Sequence, residues 1–203
     1  MQPRVLVIAC GALARELLAI TELNGLTNVT VECLPASLHN RPKEIPDLVR
    51  ARIRRARGQV GSDTTWPSSS DDKNDSDRDL VDKDLLEDGT RPALGQFDEI
   101  LIGYADCGTG GLLEKVCAEE GVEMLAGAHC YQFFATHDRF EELQDHALGS
   151  FYLTDFLARN WERLIWEGMG IAKHPELRDM YFGNYTRCVY LEQSSDPKAL
   201  AAA

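Results

Sequence analysis

Six consecutive apolar residues, Val5–Cys10 (VLVIAC), run straight into Gly11 and an amphipathic stretch. An unbroken apolar run without polar alternation has no solvent face, so it reads as a central strand of a parallel sheet, buried on both sides. Parallel neighbours need crossover connections, and the rest of the chain supplies them. GALARELLAITELNG carries Leu13, Leu17 and Leu18 and closes at Asn24-Gly25, the pattern of an amphipathic helix with a glycine stop. NVTVECLP reads as a second strand, Pro42–Arg57 as a helix, FDEILIGY as a third strand and Gly110–Glu120 as a third helix. VEMLAGA reads as a fourth strand ending at His129-Cys130, and RCVYLEQ (Arg187–Gln193) as a fifth. Thr136 and Thr154 stand where they would cap the helices HDRFEELQDHAL and DFLARNWERLIWEG. This alternation predicts an α/β fold: an open, mainly parallel sheet of about five strands flanked by helices, Rossmann-like and three-layered, with right-handed crossovers.

One stretch breaks the alternation. Residues 58–95 hold ten acidic and four basic residues, a net of −6 out of the chain's −12. So few apolar groups cannot offset the entropy of ordering, which predicts a disordered acidic insertion within a single domain of residues 1–193, with 194–203 as a tail. Outside it the chain is only mildly acidic and has no basic face, which argues against a nucleic-acid partner. No run of about 18 apolar residues exists, so no membrane span is expected. MQPRVLVIAC lacks the pattern of a cleavable leader, and the expected location is cytoplasmic. There the six cysteines are free thiols, ligands or core residues rather than a disulfide framework. The basic helix end RARIRRAR reads as a solvated face with cations at a C-terminal dipole, with anion binding as the alternative.

Ligands of open α/β sheets bind beyond the carboxyl ends of the strands. Cys10 ends the first strand, Cys107 follows the third and Cys130 follows the fourth, while the second leads into PASLHNRP with His39 and Arg41. Each cysteine alone reads as a core residue. Three at one sheet edge, with an imidazole beside them, read as a metal–thiolate cluster. The candidate ligands are Cys10, Cys107 and Cys130 with His39 or His129, for zinc or an iron–sulfur cluster. In GYADCGTGG, Gly108, Gly110 and Gly111 permit positive φ and close backbone approach. With Gly11, Arg41, Asp106 and Thr109 they make a candidate substrate-binding set. The loop lacks the lysine of a Walker sequence and does not match GxGxxG. Cys117 reads as core, Cys188 lies at the start of the last strand, and His137, His146 and His174 read as surface residues.

Together VLVIACGALARE, LPASLHNRP, GYADCGTGG, GAHCYQFF, GSFYLTDFLARNW and HPELRDMYFGNYTRCVYL resemble a prokaryotic family known as a domain of unknown function. Its members are often encoded beside corrinoid proteins and trimethylamine- or betaine-type methyltransferases. The likeness spans nearly the whole chain except residues 58–95. Many members carry Gly-Leu-Cys-Gly-Asn-Gly at the central loop, where this chain has Tyr104-Ala105-Asp106-Cys107-Gly108-Thr109-Gly110. The cysteine and its flanking glycines match, and the residues between them do not. The resemblance implies a place in corrinoid-linked one-carbon metabolism of methylated amines, with the corrinoid on a partner protein or methyltransferase. It supplies no reaction. The expectation is a metal–thiolate protein of that setting, acting on a small molecule. Zinc would serve as Lewis acid or thiolate holder, and an iron–sulfur cluster would transfer electrons. A non-catalytic accessory module, binding a small anion or cofactor at the glycine-rich strand ends, stays open. So does metal-free thiol redox chemistry.

Overall fold

Val5–Cys10 forms strand β1, and every residue from Leu6 onward is buried. The structure is a computed structural model and describes residues 2–59, 97–194 and 201. The acidic insertion expected over 58–95 lies outside the described residues from residue 60 onward, as does most of the expected tail. The chain divides into two compact units, Met1–Ala128 and His129–Ala203.

In the first unit a 3-10 turn (Gly11–Leu13) and helix α1 (Ala14–Leu23) lead to β2 (Val29–Leu34). Helix α2 (Ile45–Ala56), β3 (Glu99–Gly103), α3 (Leu112–Glu120) and the two-residue β4 (Glu123–Met124) follow. β1 pairs in parallel with β2, Cys10 opposite Leu34, and with β3, Ala9 opposite Gly103. β4 adds to β3, giving a four-stranded parallel sheet in the order β2-β1-β3-β4. Side chains alternate across this sheet. Val7, Ala9 and Cys33 lie on the face covered by Ala14 and Leu17 of α1. Leu6, Ile8 and Ile102 point the other way and are at most 1% exposed. Right-handed crossovers put α2 and α3 on that second face. The two helices pack on each other and bury Ile45, Val49 and Ile53 with Leu113, Val116 and Cys117. A Cβ at Gly103 would lie 2.7 Å from the Ala9 Cβ, so only a glycine lets the ends of β1 and β3 meet.

Four arginines of RARIRRAR, Arg50, Arg52, Arg54 and Arg57, form ion pairs inside this unit. The Glu120 carboxylate, at the end of α3, accepts from Arg50 (3.1 Å), Arg54 (2.9 Å) and Arg57 (3.3 Å). Its side chain is only 8% exposed. Arg50 also reaches Glu119 at 2.6 Å, and Arg52 pairs with Glu32 on β2. Exposed ion pairs contribute little singly, but a nearly buried carboxylate shared by three guanidiniums fastens α2 to α3.

The second unit holds a 3-10 turn (Cys130–Phe134), α4 (His137–His146), β5 (Ser150–Thr154) and α5 (Asp155–Arg159). A π-helical turn (Glu162–Glu167), α6 (Leu177–Phe182) and β6 (Arg187–Leu191) complete it. β5 and β6 form a separate parallel pair, with Ser150 opposite Arg187 and Thr154 opposite Leu191. The strand expected as fifth member of the main sheet therefore belongs to this second sheet. Its partner, β5, lies between the two stretches expected as helices, where no strand was expected. One face of the pair packs Tyr152 and Leu191 against Phe140 and Leu143. Thr154 caps α5, accepting the Leu157 N–H at 3.2 Å. Thr136 stands at the N-cap of α4, but its side chain makes no cap bond. The long helix expected from Asp155 is instead α5 followed by the π turn.

Asp155 is 1% exposed and ties the ends of β5 and β6 together. Its carboxylate accepts from the Tyr190 hydroxyl (2.7 Å) and from the backbone N–H groups of Gln193 (3.1 Å) and Ser194 (3.0 Å). Burial pushes this carboxyl up, but the hydrogen bonds from Ser194, Tyr190 and Gln193 outweigh it and hold it below the usual range. Burial and the bond to Asp155 push the Tyr190 phenol up to about 12. Among the described residues, no helix is long and apolar enough to cross a membrane.

Two stability tests follow from these bonds. Glu120→Ala strands three guanidiniums and is expected to cost about 1–3 kcal/mol in urea denaturation, more than Arg50→Ala, which leaves Glu120 two partners. Asp155→Ala is expected to cost about 2–4 kcal/mol and to bring the tyrosinate titration of Tyr190 back toward about 10. Asp155 is lowered by folding, so its contribution is complete above about pH 3.9 and is lost as pH falls through the folded value. Tyr190 is raised, so its contribution is complete below about pH 10 and is lost as pH climbs through about 12. Chevron or melt data across that range check both limbs.

Candidate metal centre

β1 sends its crossover to one face of the sheet and β3 sends its own to the other, which opens a crevice at their carboxyl ends, the topological switch point. Cys10, the last residue of β1, is 0% exposed, and its Sγ accepts the Ala12 N–H at 3.3 Å. His39 stands on a 3-10 turn (Ala36–Asn40) after β2, seated by the buried Ala36 and Leu38. Its Nδ1 lies 3.0 Å from the Ala36 carbonyl oxygen. Cys10 Sγ lies 3.7 Å from Nδ1 and 4.0 Å from Nε2. With the ring proton assigned to Nδ1 and donated to Ala36, the lone pair falls on Nε2. A metal-ligating histidine is commonly oriented this way, by giving its other N–H to a carbonyl.

The loop after β3 is built from left-handed backbone. Gly108, Gly110 and Gly111 have φ of 83°, 64° and 82°, and Cys107, with a side chain, has φ 48°. For a non-glycine residue that conformation costs roughly 1–2 kcal/mol, and surrounding bonds must hold it. They do: the Cys107 N–H donates to the Ala128 carbonyl (2.8 Å) and the Asp106 N–H to that of Gly127 (3.1 Å). The Asp106 carboxylate accepts from the Thr109 hydroxyl (2.8 Å) and the N–H groups of Gly110 (3.2 Å) and Gly111 (2.7 Å). Burial raises this carboxyl, yet the bonds from Gly111, Thr109, Gly110 and Gly108 together hold it below the usual range. Amides that would cradle a phosphate are thus given to the chain's own carboxylate.

His39, Cys107 and Cys130 offer ligand atoms that all lie within 4.8 Å of one another, a group that could hold a metal ion. Cys130 stands two residues after Ala128, the residue bonded to Cys107, so the chain itself carries the second thiol past the loop. Cys10 approaches His39 and is outside this group of three. His129, the other candidate imidazole, caps the turn Cys130–Phe134 in a reciprocal pair with Gln132 and stacks on Tyr131 at 4.8 Å. Arg41 opens the 3-10 turn Pro42–Glu44 and lies 3.5 Å from Glu44. Gly11 begins the turn behind Cys10.

The remaining cysteines have other fates. Cys33 packs with Val7 and Ala9, and burial with the adjacent Glu32 pushes its thiol up to about 12. Burial and Glu114 push Cys117 on α3 to about 11. Both stay protonated at neutral pH. Cys188 on β6 is exposed. What the sequence concealed is the Ala36 carbonyl that orients His39, since a backbone acceptor leaves no mark in side-chain pattern. The inward turn of Asp106 did leave one: an Asp followed by Thr at three and glycines at four and five is Asx-turn chemistry.

Asp106→Ala removes the acceptor of the loop's hydrogen bonds and is expected to cost about 1–3 kcal/mol, with Asp106→Asn retaining part of it, as read from urea midpoints.

Residues 82–203 match the family described as "Protein of unknown function (DUF1638)". Cys107 and Cys130 fall inside the matched residues, and Cys10 and His39 precede them. No curated protein and no solved structure matches the chain. With more than half of its length inside that match, the chain belongs to the DUF1638 family.

Proposed function

We propose that this chain is a metal–thiolate protein in which His39, Cys107 and Cys130 hold a zinc ion, with a further position open to a ligand. The observation that carries this reading is the convergence of three soft or borderline donors within 4.8 Å. Tetrahedral zinc, with bonds of about 2.3 Å to sulfur and about 2.0 Å to nitrogen, sets its donors about 3.5–3.8 Å apart. Side-chain rotation covers the difference. Two thiolates balance the charge of a divalent ion, so the group can be buried without a net charge. The exposed His39 leaves one side accessible. A mixed histidine–cysteine set favours a single ion over an iron–sulfur cluster, which is held mostly by four thiolates. The strain stored at Cys107 supports a role for its thiol beyond packing.

Bound zinc would supply Lewis acidity, or hold a substrate thiol as its thiolate. The resemblance to proteins encoded beside corrinoid methyltransferase systems supports a setting in one-carbon metabolism of methylated amines, with the corrinoid on a partner protein. Free cysteines are in keeping with a cytoplasmic location. The accessory-module reading, with a small anion on the glycine loop, is weakened by the Asp106 carboxylate that already takes the loop's donors.

Elemental analysis of protein purified without air tests the proposal. About one zinc per chain is expected, and absence of both zinc and iron overturns it. Iron with a broad visible absorption would transfer the same residues to a cluster. Cys107→Ser and Cys130→Ser are each expected to lower zinc affinity by more than about 100-fold, beyond what loss of an orienting partner costs.

A further inference from the structure

The position of Cys10 asks for a role. Its Sγ is fully buried, stands 4.0 Å from His39 Nε2, and accepts one amide, that of Ala12. Cys10 ends β1 opposite Leu34, the last residue of the neighbouring β2, and His39 stands five residues further on, in the 3-10 turn that follows β2. The separation from Nε2 is near the spacing of about 3.6 Å between nitrogen and sulfur ligands of one tetrahedral ion. Yet Cys10 is outside the mutual group formed by His39, Cys107 and Cys130. It is thus within reach of the histidine's metal while standing outside the set of donors that are all mutually close.

We infer that Cys10 is the fourth, exchangeable ligand of the metal proposed above, and that an incoming thiol is the class of ligand that replaces it. The inference rests on that metal reading. In the exchange the metal–sulfur bond to Cys10 breaks and one to the incoming sulfur forms, while the thiol's proton passes to Cys10 Sγ. No oxidant or reductant takes part and the charge at the metal is unchanged. The Ala12 N–H, at the start of the turn leading into α1, stays bonded to Cys10 Sγ and steadies it in either state.

Cobalt substitution reads this directly, because thiolate-to-cobalt charge-transfer absorption grows with the number of bound sulfurs. In Cys10→Ser the band is expected to fall by about one third relative to wild type, from three thiolates to two. Adding 2-mercaptoethanol is expected to restore it in the variant and to leave wild type nearly unchanged. A Cys10→Ser band equal to wild type before thiol is added overturns the role of Cys10, and failure of the thiol to restore the band overturns the exchange. X-ray absorption at the zinc edge of the wild-type chain needs no variant: three sulfurs and one nitrogen support the inference, and two sulfurs with two lighter atoms overturn it. A wild-type chain that binds neither metal overturns the metal reading itself and this inference with it, an outcome distinct from an unchanged variant spectrum.

Discussion

The parallel pairing of β1 with strands on both sides is the constraint from which the first unit and its crevice follow. It buries Leu6–Cys10 on two faces, which the unbroken apolar run permits. Since β1 and β3 send their crossovers to opposite faces, nothing of either connection covers the gap between their ends. Cys10 and the loop from Tyr104 onward therefore share one edge. The contact between Gly103 and Ala9 closes the distance between those ends, and a side chain there would prise them apart. Register then sorts the thiols. Cys33 is paired with Ala9 and faces α1, while Cys10, one step along, is paired with Leu34 and ends the strand. A single step in a period-two pattern separates a core thiol from a candidate ligand.

The glycine-rich loop serves a different end from the one such loops suggest. Its amides converge, but on Asp106, an anion the chain supplies itself. With those donors satisfied from within, the loop is a rigid stand. Left-handed backbone at Gly108, Gly110 and Gly111 makes the tight path possible, and the same path forces Cys107 into a conformation its Cβ resists. The bonds to Gly127 and Ala128 over-determine that conformation.

Much of this was legible in the sequence, and the losses have physical causes. The strands β1, β2 and β3 announce themselves because burial on two faces removes polar alternation. The ends of those strands give the cysteines their common edge without any structure. β5 was hidden because Ser150–Thr154 is five residues long and lies next to a true helix cap at Thr154. Its partner β6 is 37 residues away along the register, so no local pattern joins them. The fourth strand shrank to Glu123–Met124 because Gly127 and Ala128 give their carbonyls to the loop rather than to a ladder. His39 and His129 could not be ranked from sequence. The choice depends on the Ala36 carbonyl behind one ring and on the Gln132 pairing and Tyr131 stacking of the other.

Electrostatics decides how many thiolates such a centre can hold firmly. Arg50, Arg52 and Arg54 of α2 are paired with Glu119, Glu120 and Glu32. A divalent ion at the strand-end edge is neutralised by two thiolates, and a third leaves the centre with a net negative charge in a poorly solvated place. Among the described residues, one backbone amide, that of Ala12 at the start of a helical segment, donates to that third sulfur, a contribution of about 1 kcal/mol or less. Cys10 is the sulfur with that amide, and it is also the one outside the mutual group. Charge balance and geometry thus select the same residue as the ligand most readily given up.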